Sequence, residues 1–118
     1  MSEAATPPEL VVCIVMDHHQ VEEILTGFLE MGIRGATVVD SHGMGEILST
    51  QVPIFAGFKA LFPSSTAGTY LIMSVVDHEI VNDVILLVEE ICGDLSLPGS
   101  GFLFTLPVLT LKSTTGSF

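Results

Sequence analysis

Positive charge is almost missing from this chain. Arg34, Lys59 and Lys112 stand against fourteen acidic residues, for a formal net charge of −11. Nucleic-acid binding relies on clustered cations that release counterions from a phosphate backbone, so that class of function is excluded. Polyanionic ligands are disfavoured for the same reason. There is no tryptophan and a single tyrosine, Tyr70. No apolar run approaches the roughly 18 residues of a membrane-spanning helix, and Met1–Pro8, acidic and ending in two prolines, lacks the pattern of a targeting signal. Cysteine occurs twice. Cys13 falls in a β-branched run and Cys92 on an apolar helical stripe, which predicts reduced core thiols rather than a disulfide or a metal pair, and with them a cytoplasmic protein.

Apolar residues, by contrast, are abundant. They make up 48% of the chain, and charged residues only 14% where roughly 25% is usual. A chain of 118 residues can bury a core, but that balance leaves too little polar surface to cover a monomer. A buried subunit interface is therefore expected.

The chain also repeats itself. At an offset of 60, Met16-Asp17-His18, Val21, Glu23-Ile24-Leu25 and Phe28 fall on Val76-Asp77-His78, Val81, Asp83-Val84-Ile85 and Val88. Each copy follows an apolar run, Leu10–Val15 or Tyr70–Val75, too rich in β-branched residues to alternate. Val21, Ile24, Leu25, Phe28 and Leu29 keep helical spacing, as do Val81, Val84, Ile85, Val88, Ile91 and Cys92. Asp17 and Asp77 stand where N-caps are wanted, and Gly32 and Gly93 where left-handed C-caps would end the helices. Two further strands are predicted over 36–41 and 102–111, the last one interrupted by Pro107, which suits a sheet edge.

These elements spell βαββαβ, a duplicated ferredoxin-like α+β unit: a four-stranded antiparallel sheet with two helices on one face. The two repeat-initiating strands are expected side by side in its centre, running parallel. One domain is predicted over residues 9–112, with loose tails at 1–8 and 113–118 and a long inter-strand segment at 46–69.

Three places could carry chemistry. The stretch Gly32-Ile33-Arg34-Gly35-Ala36-Thr37-Val38-Val39, ending in His42-Gly43-Met44-Gly45, offers glycines at a strand end where positive φ and close backbone approach would make a ligand cradle or simply a tight loop. Within 46–69, Ile54, Phe55, Phe58, Leu61 and Phe62 keep helical spacing before Pro63 and predict a short amphipathic helix. Its apolar face would pack on its own protein or on a partner; a membrane surface is disfavoured by the shortage of basic residues. The third place is the histidines. If the central strands run parallel, Asp17-His18-His19 and Asp77-His78-Glu79 meet at one edge, and His18, His19 and His78 become candidate metal ligands, although exposed histidines at helix starts need no metal. Catalysis finds no support: no Ser or Cys stands in a nucleophile elbow, and Ser41 and His42, adjacent on a strand, point to opposite faces.

The spacing Gly32-Ile33-x-Gly35-x-Thr37-Val38, then Gly43-x-Gly45, resembles the second-strand motif of the P-II nitrogen regulatory signalling proteins, and the likeness extends in order over about residues 9–112. It implies a non-enzymatic homotrimer that binds a small effector, nucleotide-like or other, between subunits and signals to a protein partner through the loop after the second strand. By that resemblance Thr37, Gly43, Met44, Gly45, Pro98, Gly99, Ser100, Gly101 and Lys112 would line the cleft. Ile54, Phe55, Phe58 and Phe62 would meet the partner.

The departures concern charge. Nucleotide-binding members carry a lysine at the end of the glycine-rich turn and arginines in the last strand; here those positions are Gly101 and Thr110, and Glu46 stands where a basic residue is expected. Three copies at −11 each would carry −33. ATP is thereby disfavoured, leaving a monophosphate, a nucleoside, an uncharged metabolite or no ligand. A divalent-metal-binding trimer of the same fold, or a structural oligomer without a ligand, are the alternatives.

Overall fold

The computed structural model describes residues 6–51, 68–98 and 100–113. Strand β1 (Glu9–Val15) leads into helix α1 (His18–Glu30), β2 (Thr37–Ser41), α2 (Met44–Gln51), β3 (Thr69–Val76), a 3₁₀ turn (His78–Ile80), α3 (Val81–Cys92) and β4 (Phe102–Pro107). The sheet order is β2-β3-β1-β4, and every neighbouring pair is antiparallel. The predicted ferredoxin-like plan is present, with one correction. Strands β1 and β3 run antiparallel in the centre, with Glu9 opposite Val76 and Val15 opposite Tyr70. The reason is geometric: α1 crosses over so that β2 runs with β1, and β3 then pairs antiparallel with β2, which turns the second repeat around.

The core lies between the sheet and α1 and α3. Val11, Cys13 and Val15 from β1 and Ile72 and Val76 from β3 meet Val21, Ile24 and Phe28 of α1 and Val84 and Val88 of α3. Phe28 is the largest fully enclosed side chain; truncation to alanine of such a residue costs about 3–5 kcal/mol. Ser74 and Thr69 are buried polar residues, and Ser74 is the more enclosed. Fully buried, its hydroxyl donates to the Gly35 carbonyl at 2.6 Å and ties the entrance of β2 to β3. Cys13 and Cys92 are free thiols, as expected; burial pushes Cys13 up to about 12, and burial with the nearby Glu23 raises Cys92.

The helix boundaries follow the predicted signals in part. The Asp17 carboxylate accepts the His19 amide at 3.0 Å, a side-chain N-cap. Asp77 makes no such bond, because a 3₁₀ turn intervenes before α3 and only its carbonyl is used, accepting from Ile80. Gly32 and Gly93 both hold positive φ just past their helices. Strand β4 stops at Pro107 rather than Leu111, since proline cannot donate to the ladder; the next amide, Val108, donates instead to the Pro8 carbonyl at 2.9 Å.

Strand alternation puts Leu10, Val12 and Ile14, Leu71, Met73 and Val75, and Phe102, Phe104 and Leu106 on the face opposite the helices. No described element covers that face. Phe102, Phe104 and Leu106 on the edge strand are 44–52% exposed, and the two phenyl rings stack with centroids 6.2 Å apart.

Antiparallel pairing also separates the histidines. His18 and His19 follow the end of β1, where the His18 ring meets Tyr70 edge-on at 5.6 Å; His78 follows the end of β3 and binds Glu9, at the other end of the sheet. The three-histidine site anticipated from parallel strands is not assembled within one chain, and among the described residues no cluster of three or more His, Cys, Asp or Glu could hold a metal ion. Hence any rise in melting temperature with Zn²⁺ should be the same in His78→Ala as in the native chain when followed by differential scanning fluorimetry.

Glu9 fastens three elements at its end of the sheet. The Thr105 hydroxyl, and after it the His78 ring, hold its carboxylate below the ordinary value of 4.5. A depressed folded value means that this contribution is full above 4.5 and is lost as the pH falls through the lower, folded value. In Glu9→Gln the melting temperature should therefore decline less steeply than in the native protein over that acid range.

Candidate functional site

Strands β1 and β2 finish, and β3 and β4 begin, at one end of the sheet: Ser41 pairs with Thr69, Val15 with Tyr70 and Ile14 with Phe102. The glycine-punctuated segments gather at that end. Gly43, Met44 and Gly45 follow β2, while Pro98, Ser100 and Gly101 lead into β4. They lie on opposite edges. With β3 and β1 between them, the two segments are three strand spacings apart, roughly 14 Å at ~4.8 Å each. One chain therefore offers two half-sites that do not touch.

At the β2 edge, the Ser41 and Thr69 hydroxyls share a hydrogen bond of 2.7 Å across the strands. Beyond them the chain enters α2 directly, so that Met44 and Gly45 belong to a helix and not to a loop. Neither Gly43 nor Gly45 uses positive φ, contrary to the sequence expectation, and Gly45 is buried. Met44 is 69% exposed. The His42 ring nitrogen Nδ1 and a Glu46 carboxylate oxygen are 2.7 Å apart, one helical turn along, so the position expected to be basic carries an acid engaged with a histidine.

At the β4 edge, the turn after α3 is locked by carboxylates that sequence reading passed over. Asp94 accepts both the Ser96 amide at 2.9 Å and the Ser96 hydroxyl at 2.7 Å, which lowers its pKa, and Glu89 accepts the Leu95 amide at 3.2 Å. The Asp94-Leu95-Ser96 spacing is an Asx-turn pattern and was the available signal. The turn delivers Gly101 at φ +101°, where a Cβ would lie 2.3 Å from the Ile14 carbonyl oxygen. No side chain fits there without moving backbone. The φ and the Ile14 carbonyl together reserve this position for glycine.

The remaining predicted residues lie elsewhere. Thr37 is at the far end of β2, opposite Met73, on the open face. Lys112 follows β4 beyond Pro107, leaving from the far end as well, and Arg34, just before β2, is also there. Neither described cation is near the glycine-rich end. Gly99, Lys59 and the segment holding Ile54, Phe55, Phe58 and Phe62, with its predicted amphipathic helix, lie outside the described residues. Among the described residues no helix is long and apolar enough to cross a membrane.

No protein-family model and no curated protein sequence matches the chain. Solved structures do. A protein of Pediococcus pentosaceus described as functionally unknown is similar over 92% of this chain and 99% of its own, with 18% identity and a TM-score of 0.63. The P-II protein of Arabidopsis thaliana, solved bound to citrate, is similar over 87% of this chain and 78% of its own, with 25% identity and a TM-score of 0.61. The chain has the ferredoxin-like fold of a P-II protein.

Proposed function

We propose that this protein is a non-enzymatic regulator of the P-II type, a homotrimer that senses a small effector between subunits and relays its presence through residues 46–69. The observation that carries this reading is the division of the glycine-rich site between opposite sheet edges. A head-to-tail contact would bring the β2 edge of one copy against the β4 edge of the next, and such heterologous contacts close into rings. The open apolar face supplies the surface to be buried, and the P-II resemblance supports a ring of three. In this arrangement Gly43–Gly45 and Pro98–Gly101 from neighbouring copies form the cleft, whereas Thr37 and Lys112 belong to the far end of the sheet. Ile54, Phe55, Phe58 and Phe62 contact a protein partner.

The effector is not a triphosphate. Strong phosphate contacts are charge-assisted, and the cleft offers His42–Glu46 and a glycine that cannot become lysine.

Native mass spectrometry of freshly purified protein should report three copies together with any retained small molecule. Phe104→Asp, which places a charge on the open face, should shift the mass to one copy; a native chain that is monomeric at micromolar concentration would remove the reading. Calorimetry with ATP and magnesium should give a dissociation constant no tighter than about millimolar, near −4 kcal/mol. Gly101→Lys should not improve it, and should lower stability by about 1–3 kcal/mol or more, because φ +101° and the Ile14 carbonyl both oppose a side chain.

A further inference from the structure

On the side of the helix layer facing away from the sheet, a groove of about 550 Å³ runs between α1 and α3. Its floor is Gly27, Leu87 and Ile91, and its rim carries Glu22, Glu23 and Glu30. The close approach at Gly27 shapes it: a Cβ there would lie 2.6 Å from a Leu87 methyl, so α3 presses against bare backbone and its leucine spreads along the groove. Leu86, next along α3, is 64% exposed.

Charge makes this surface one-sided. Neither α1 nor α3 contains a lysine or arginine. The nearest opposing groups are His18 and His19, 3.5 and 3.9 Å from the Glu22 carboxylate. The uncompensated field reaches inward, since Glu23 contributes to raising the Cys92 thiol. A helix normally intersperses cations with such carboxylates, and their omission here leaves an apolar floor with an anionic border.

We propose that the α1–α3 groove docks a cationic amphipathic helix of a partner protein, whose lysine or arginine side chains meet Glu22, Glu23 and Glu30 while its apolar side chains cover Leu87 and Ile91. The spacing suits that occupant. Glu23 and Glu30 are seven residues apart, ~10.5 Å along the axis, the rise between cations at i and i+7 of a bound helix. A small polycation would satisfy the border but leave the floor wet. Because the groove lies on the opposite side of the helix layer from the open sheet face, it stays accessible in the proposed ring, and its occupancy is independent of the effector cleft.

Fluorescence anisotropy at ~0.15 M salt tests this with a labelled helical peptide roughly two heptads long, lysines on one edge and leucines on the adjoining face, against a scrambled peptide of the same composition. The patterned peptide should bind the native protein at least about tenfold more tightly than the scrambled one. Glu22→Gln/Glu23→Gln/Glu30→Gln should weaken it by about tenfold or more, whereas Asp40→Asn/Asp77→Asn/Glu79→Gln, which removes equal charge elsewhere, should change it less than about twofold. Thr26→Arg, which sets a cation in the groove itself, should abolish binding without altering the melting temperature. Equal affinity for both peptides, equal loss in the two triple variants, or no binding by the native protein at millimolar peptide would each overturn the proposal.

Discussion

The antiparallel pairing of β1 with β3 determines where every other feature of this molecule falls. Seven residues of each strand are in register, from Glu9 opposite Val76 to Val15 opposite Tyr70. That pairing turns the second repeat end for end, so two nearly identical turns, Asp17-His18 and Asp77-His78, meet different surroundings. One borders Tyr70 at the glycine-rich end; the other joins Glu9 and Thr105 at the far end. Arg34 and the chain leading to Lys112 belong to the far end also, while His18, His19 and His42 follow strands at the glycine-rich end.

Much of the architecture could be read directly from residue patterns. Period and β-branched density placed all four strands and both long helices, because each segment's apolar pattern is matched by one burial geometry: Val21, Ile24 and Phe28 can face only one way on a 3.6-residue helix. Strand direction was different. Nothing in Leu10–Val15 or Tyr70–Val75 encodes which way a neighbour runs, and the direction is decided by β2–β3 pairing, a non-local constraint. The expectation that His18, His19 and His78 meet in one chain rested on that direction. At the candidate site, the glycines were visible but their roles were not: Gly43 and Gly45 read as a ligand cradle or tight loop and instead stand before and within the first turn of a helix, while Gly101, similar in sequence, holds the backbone that excludes a side chain. Only packing distinguishes these uses.

A sheet with two apolar faces, of which the described helices α1 and α3 cover one, also explains the composition. The shortage of charge is concentrated on the open face, where Phe102, Phe104 and Leu106 stand on an edge strand. Six of the fourteen acids lie on α1 and α3, and neither helix carries a lysine or arginine. The molecule is thus polarised across its thickness, greasy on one side and acidic on the other, and any assembly must bury the first while presenting the second.

With Asp94 and Glu89 bracing the turn into β4 and Gly101 passing within reach of the Ile14 carbonyl, any side chain introduced at residue 101 has to displace backbone. The same lock fixes the register of the edge strand, because the chain can pass the Ile14 carbonyl this closely only with a bare Cα at residue 101.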